Sequence, residues 1–222
     1  MTPEDILKAL YDETLIGNKP RVLELTQQGL EQGMTPDSLL FEALIPSLEE
    51  VGARFERGDV FVPEMLIAGK AMSGALDVLR PLLADTGAET VGTFLMGTVK
   101  GDVHDIGKNL VNIMLEGAGF QVIDLGVQVP PEKFIAAIEE HKPDIVGFSA
   151  FLTTTMPMFK ANMNALEKAG LRDKVIVMVG GAPVTQEYAD AVGADGYAAD
   201  ASTAVRRAKD LIQRKRAAAV PA

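Results

Sequence analysis

The chain reads as an α/β protein with an N-terminal all-α part: a four-helix bundle followed by a five-stranded parallel sheet with helices on both faces. Three observations carry this reading. Apolar residues recur at helical spacing through the first 85 positions, short apolar runs alternate five times with amphipathic stretches from residue 91 onward, and most of those runs are bounded by glycine. Each pair of parallel strands needs a crossover connection, so strand and helix in alternation build a sheet covered on both sides.

The first helix opens at Thr2-Pro3-Glu4-Asp5, an N-cap, a proline at the first helical position and an acidic turn, with Ile6, Leu7, Leu10 and Tyr11 on one face. A second runs from Lys19 to Gln32 and stops at Gly33. Thr35-Pro36-Asp37 repeats the opening device for a third, through Leu39, Leu40, Ala43, Leu44, Leu48 and Val51 towards Phe55. Pro46 should kink it, because proline lacks the donor and clashes one turn back. After Arg57-Gly58-Asp59, Pro63 opens a fourth helix through Met65, Leu66, Ala68, Met72, Ala75, Leu79 and Leu82. Four helices joined by short turns read as a bundle. The period changes at Asp85-Thr86-Gly87, which sets domains at 1–88 and 89–222. Strands are expected over 91–97, 120–125, 145–148, 175–179 and 196–197, with helices over 107–116, 131–141, 156–169, 185–192 and 201–213. The basic, then Ala/Pro-rich tail from Arg214 reads as frayed.

Composition narrows the chemistry. There is no cysteine, which excludes disulfides, thiolate zinc sites, iron–sulfur clusters and cysteine nucleophiles. With two histidines, a metal site of protein ligands alone would be mostly carboxylate. The net charge of −10 argues against a nucleic-acid binder. Residues 1–85 hold seven Lys/Arg against fifteen Asp/Glu, a balance of −8 that leaves −2 for the remainder, either a sign of two modules or simply a solvated acidic helical surface. No apolar run reaches membrane-span length and the N-terminus is acidic where a signal peptide is basic, so the expected location is cytoplasmic.

Several strands end in small or polar residues: Gly97 and Thr98, Gly126, Ser149, Gly180-Gly181, and Asp200 after the last strand. In an open parallel sheet these ends meet along one edge, where ligands bind at the reversal of strand order. Taken singly, each glycine is equally explained as turn punctuation. Neither G-x-G-x-x-G nor a P-loop signature is present. The loop after the first strand instead carries Asp102 and His104. A carboxylate beside an imidazole fixes and strengthens a metal ligand, and the same pair serves general base catalysis. Hydroxyls at Ser149, Thr153, Thr154 and Thr155 could join it. His141, in Glu139-Glu140-His141-Lys142, sits at a helix end where the dipole favours it, and reads as structural.

Asp102, His104 and Gly107 form D-x-H-x-x-G inside Gly101–Gly107. With Ser149 and Gly180-Gly181 in order, this resembles the cobalamin-binding domain shared by methionine synthase and several mutases. The segment Val51-Gly52-Ala53-Arg54-Phe55-Glu56-Arg57-Gly58-Asp59-Val60-Phe61-Val62-Pro63-Glu64-Met65 is similar to the cap of methyl-transferring corrinoid proteins. Nearly the whole chain thus resembles the free-standing corrinoid methyl carriers of methanol, methylamine, glycine betaine and aryl methyl ether methyltransferase systems.

The resemblance implies a Rossmann-like (flavodoxin-like) sheet binding cobalamin, with the bundle as a cap. His104 would be the lower axial cobalt ligand, Asp102 its hydrogen-bond partner, and Ser149 or Thr155 the group completing the contact, with Gly101, Val103, Ile106 and Gly107 lining the loop. The displaced nucleotide tail would enter beside Ser149, Leu152, Thr153, Gly180, Gly181 and Ala182 and reach Tyr197 and Asp200. Family members carry S-x-L in the third loop; here Ser149-Ala150-Phe151 puts leucine one place later, which favours Ser149 over Leu152. Phe61, Val62 and Met65 would form the lid over the methyl-bearing face, although ordinary core packing explains them equally. The implied activity is a methyl shuttle: cobalt takes a methyl group delivered by a substrate-specific methyltransferase and yields it to a second one acting on a pterin or thiol, with a reductive activator as a further partner. The alternatives are a cobalamin-dependent sensor, the small subunit of an adenosylcobalamin mutase, and a flavodoxin-like module using His104 and Asp102 for acid–base work without cobalamin.

Overall fold

A computed structural model describes residues 1–86 and 90–219. The chain divides into two compact units, Met1–Thr90 with Glu116–Gly119, and Val91–Leu115 with Phe120–Ala222.

The first unit is helical. Helix α1 (Pro3–Leu15) starts from a capping box: Thr2 Oγ1 accepts from the Asp5 N–H at 3.2 Å while Asp5 accepts from the Thr2 N–H at 2.9 Å. Such a cap contributes about 1 kcal/mol. Helix α2 (Lys19–Glu31) follows, then the one-turn α3 (Pro36–Leu39), capped by Thr35, whose hydroxyl accepts from the Ser38 N–H at 3.1 Å. The expected third helix is not simply kinked at Pro46. Residues Leu40–Leu44 adopt a π-turn, closed by the Ile45 N–H on the Leu40 carbonyl, and helix α4 (Ile45–Arg57) restarts with Pro46 in its first turn. A first-turn residue needs no helical donor, so widening the preceding turn accommodates the proline. Gly58, at φ +79°, ends α4, and helix α5 (Val62–Thr86) follows. Asp85 and Thr86 belong to the last turn of α5, and Gly87 lies outside the described residues. Helices α1, α2, α4 and α5 pack on one another through Ile6, Leu10, Val22, Leu25, Leu48, Val51, Met72 and Leu79, all buried.

The second unit alternates strand and helix: β1 (Thr93–Thr98), α6 (Ile106–Gly117), β2 (Gln121–Asp124), α7 (Pro131–His141), β3 (Ile145–Ser149), α8 (Pro157–Lys168), β4 (Ile176–Gly180), α9 (Gln186–Val192), β5 (Gly196–Ala198) and α10 (Ala201–Ala219). All strands are parallel, in the order β2-β1-β3-β4-β5. The order reverses at β1, so the loops after β1 and β3 emerge side by side, as the bond from the Val99 N–H to the Ser149 carbonyl at 3.0 Å records.

Alternation along the strands separates two faces. Leu95, Val146, Phe148, Val177 and Val179 meet Phe134, Ile138, Phe159, Met163 and Val192 of α7, α8 and α9. Phe134 packs edge-on against Phe148 with centroids 4.8 Å apart. Burying each such ring contributes about 1.5–3 kcal/mol. On the other face, side chains at Gly147 and Gly196 are excluded: a Cβ would lie 2.6 Å from Phe94 and 2.9 Å from Leu211 of α10 respectively. The tail departs from expectation, for α10 stays helical to Ala219. Its last turns are tied down: Lys215 Nζ donates to the Lys174 carbonyl and Arg216 to the Val91 carbonyl, both at 3.0 Å.

Candidate functional site

The site grows from the end of β1. The chain leaves the strand through a tight turn in which the Asp102 N–H donates to the Val99 carbonyl at 3.1 Å. Gly101 occupies φ +83°, a left-handed conformation that disfavours any side chain. The turn drives Asp102 inward to complete burial, and the Gln128 N–H pins its carbonyl at 3.0 Å. Two residues on, His104 faces outward with 42% of its side chain exposed.

The Asp102 carboxylate is fully partnered. Oδ1 accepts from the His104 N–H at 3.1 Å and from Nδ1 of the same residue at 2.7 Å. Oδ2 accepts from the N–H groups of Phe151 at 2.8 Å and Leu152 at 3.2 Å, and from the Thr155 hydroxyl at 2.6 Å. Burial alone would raise the pKa of this carboxyl. The donors, led by the Thr155 hydroxyl and His104, outweigh it and hold the group well below the usual carboxylate range. An ionised carboxylate only accepts, so Nδ1 carries the shared proton, and in the neutral imidazole the lone pair then lies on Nε2. Among the described residues nothing bonds Nε2. The loop is also held from beneath: the Thr98 hydroxyl, fully buried, donates to the His104 carbonyl at 3.0 Å.

Of the two hydroxyls expected to complete the contact, Thr155 does so. Ser149 instead ends β3, its carbonyl holding Val99. Leu152 takes part through its N–H. Thr153 is exposed in the turn ahead of α8, as are Val103, Ile106 and Gly107 around the histidine. Gly180 and Gly181 end β4 beside β3. The Ala150 N–H donates to the Gly180 carbonyl at 3.2 Å, and a Cβ on Gly181, at φ +133°, would fall 1.8 Å from the Ala150 carbonyl oxygen. The two strand ends therefore touch backbone to backbone, with Ala182 exposed next to them. Tyr197 and Asp200 make no hydrogen bond to the His104 loop. Tyr197 packs on the α7–α9 core, and Asp200 caps α10, accepting from the Thr203 N–H at 2.6 Å. In the helical unit Phe61 is 66% exposed, Val62 is partly exposed and Met65 is buried.

Three residues escaped the sequence reading. Phe151, not Leu152, takes the third place of the S-x-L pattern, and its ring stacks on the His104 imidazole with centroids 4.4 Å apart. The pattern read without its one-place shift would have found it. Thr98 was noted only as a strand end. Lys108, buried in the first turn of α6, places its ammonium on the Asp124 carboxylate at the end of β2 and on Asn109 Oδ1. Its partner Asp124 lies 16 residues away, and nothing beside Lys108 in the sequence points to it.

This arrangement presents a metal-capable nitrogen, backed by an anchored carboxylate, at the ligand edge of a parallel sheet. Two family models, each described as a B12 binding domain, match residues 92–206 and 6–80. The dimethylamine corrinoid protein of Methanosarcina barkeri is 41% identical over 213 residues, covering 96% of this chain and 100% of that protein. Trimethylamine corrinoid protein 1 of Methanosarcina acetivorans is 38% identical, over 94% of this chain and 98% of that one. Among solved structures, a chain of the methanol:cobalamin methyltransferase complex of Methanosarcina barkeri superposes with a TM-score of 0.83 at 30% identity, over 95% of this chain and 80% of that one. The monomethylamine corrinoid protein of the same organism gives 0.53 at 35% identity, over 94% and 99%. With its metal-capable histidine, its strand order and these relatives together, the chain belongs to the B12-binding corrinoid proteins.

Proposed function

We propose that this chain is a methyl-carrier subunit: it holds a corrinoid and moves a methyl group on its cobalt from a substrate-specific methyltransferase to a second methyltransferase acting on a pterin or thiol. The observation that carries the reading is the His104 imidazole, partly exposed and anchored on Nδ1 by a buried, ionised Asp102. Kinship to a chain of a methanol:cobalamin methyltransferase complex supports the methyltransferase partner. The acceptor enzyme and a reductive activator follow from the chemistry of such a carrier.

The residues fit a corrinoid. Val103, Ile106, Phe151 and Leu152 expose 57%, 64%, 51% and 39% of their surfaces around the histidine, an apolar rim suited to a flat macrocycle. Gly101 and Gly107 leave the loop free of bulk, since a Cβ at Gly107 would meet nothing within 4 Å. When bound, the cofactor supplies the cobalt that accepts and releases the methyl group.

The chain's own residues do the rest. His104 would offer Nε2 to the cobalt; Asp102 orients the ring through Nδ1, and Thr155 and the Phe151 and Leu152 amides keep Asp102 ionised. Ser149, Leu152, Thr153, Gly180, Gly181 and Ala182 are the proposed contacts of the nucleotide tail, with Tyr197 and Asp200 at its far end. The helical part, residues 1–88, is the proposed cap, with Phe61, Val62 and Met65 as its proposed lid residues, of which Met65 is buried.

The test is reconstitution of His104→Ala with methylcobalamin beside the wild type. The wild type is expected to retain the cofactor with the spectrum of a corrinoid whose own base has been displaced by histidine. The variant should lose that spectrum and bind more weakly. Identical spectra and retention would overturn the assignment of His104.

A further inference from the structure

The imidazole of His104 is restrained on its edge by a carboxylate and on its face by an aromatic ring. The Phe151 phenyl lies 4.4 Å from the imidazole centroid with the planes 27° from parallel. It is not a core side chain, being 51% exposed. Its backbone N–H donates to Asp102 Oδ2 at 2.8 Å while the imidazole donates to Oδ1 of the same carboxylate at 2.7 Å. The imidazole of His104 and the backbone of Phe151 therefore hang from the two oxygens of one buried group, which brings the two rings together.

A hydrogen bond at Nδ1 fixes one atom of the imidazole and leaves the ring free to tilt about that bond. A flat partner on one face removes the tilt, because offset-stacked rings are favoured over skewed contact. Edge and face together fix the direction of the Nε2 lone pair. Phe151 stands where the S-x-L pattern carries leucine, which supplies bulk but no flat face.

We propose that Phe151 is a positioning residue that fixes the imidazole plane of His104 and thereby sets how strongly this histidine competes for the lower face of a corrinoid cobalt. The proposal rests on the ligand role of His104 given above. A half-exposed ring can be replaced without disturbing the core, so Phe151→Leu tests it, and Phe151→Trp, which restores a flat face, serves as the rescue.

Two readouts separate the proposal from the reading beneath it. In the cofactor-free protein, the phenyl ring current should displace the His104 ring protons in NMR spectra. The chain has two histidines, so a His141→Gln variant assigns them. Phe151→Leu should abolish the displacement and Phe151→Trp restore it; a displacement that survives in Phe151→Leu overturns the stacking.

In protein carrying 15N-histidine and loaded with cobalt(II) cobalamin, paramagnetic resonance should show the axial nitrogen splitting change from three lines to two. Phe151→Leu should lower the ratio of histidine-on to histidine-off cobalt by about two- to tenfold, the effect of losing one aromatic pair, and Phe151→Trp should recover it. An unchanged ratio in Phe151→Leu, with the 15N effect intact, overturns the positioning role and leaves the ligand standing. No 15N effect in the wild type overturns the ligand and this proposal with it.

Discussion

His104 and His141 are the chain's two histidines, and their side chains are almost equally open to solvent, at 42% and 37%. Exposure therefore does not distinguish them; anchoring does. His104 lies 2.7 Å from a carboxylate with no exposure, itself held by three further donors from another loop. His141 ends α7, its Nε2 3.9 Å from a Glu140 carboxylate that is 74% exposed. A pair of that kind contributes close to nothing, and the helix dipole is reason enough for the residue. The same side chain is held in one direction at the first position and left to solvent in the last turn of a helix at the second.

Replacing the anchor should erase most of this difference. Asp102→Asn presents an amide to donors that need an acceptor, and is expected to destabilise the α/β unit by about 3 kcal/mol in urea unfolding at pH 7. The sign of the pH dependence follows from the direction of the shift. Asp102 ionises below its unfolded-chain value, so its stabilisation is complete above about pH 4 and is lost as the pH falls below that. The gap between wild type and Asp102→Asn should narrow at pH 3, and a gap that stays constant would refute the role of the carboxylate charge.

A smaller change should loosen the histidine from beneath. Thr98→Val keeps the shape and removes the donor to the His104 carbonyl, at an expected cost of about 1 kcal/mol. It should also speed amide hydrogen exchange in the His104 loop, and unchanged exchange there would show that the bond is incidental. The smallest effect is expected at the other histidine. His141→Ala should change the unfolding free energy by no more than about 0.5 kcal/mol and leave corrinoid binding untouched. A loss of binding would mean that the two histidines are not separable in the way described.

Much of this was legible in the sequence because it is local. Each strand is an apolar run stopped by a small or polar residue, and the observed bounds differ from the expected ones by at most two residues, as with 91–97 against Thr93–Thr98. The histidine, its carboxylate and the permissive Gly101 lie within four positions of one another. What was hidden depends on distant partners. The Phe151 and Leu152 amides reach Asp102 from 49 and 50 residues away, and nothing in their own side chains announces a backbone donor. The C-terminal helix extends past Arg214 because Lys215 and Arg216 find carbonyls at residues 174 and 91, contacts that exist only in the folded unit. The π-turn before Pro46 is a slip in hydrogen-bond register, which a pattern of apolar positions does not encode.

The distance along the chain between Asp102 and its donors gives the site a place in the order of synthesis. A growing chain that has emerged only as far as α6 carries the complete D-x-H-x-x-G loop, yet its carboxylate lacks Phe151, Leu152 and Thr155, and its imidazole swings without a plane. The grip closes only when β3 has paired with β1 and the loop beyond it has reached back. The full set of donors on Asp102 therefore exists only once the centre of the sheet is built.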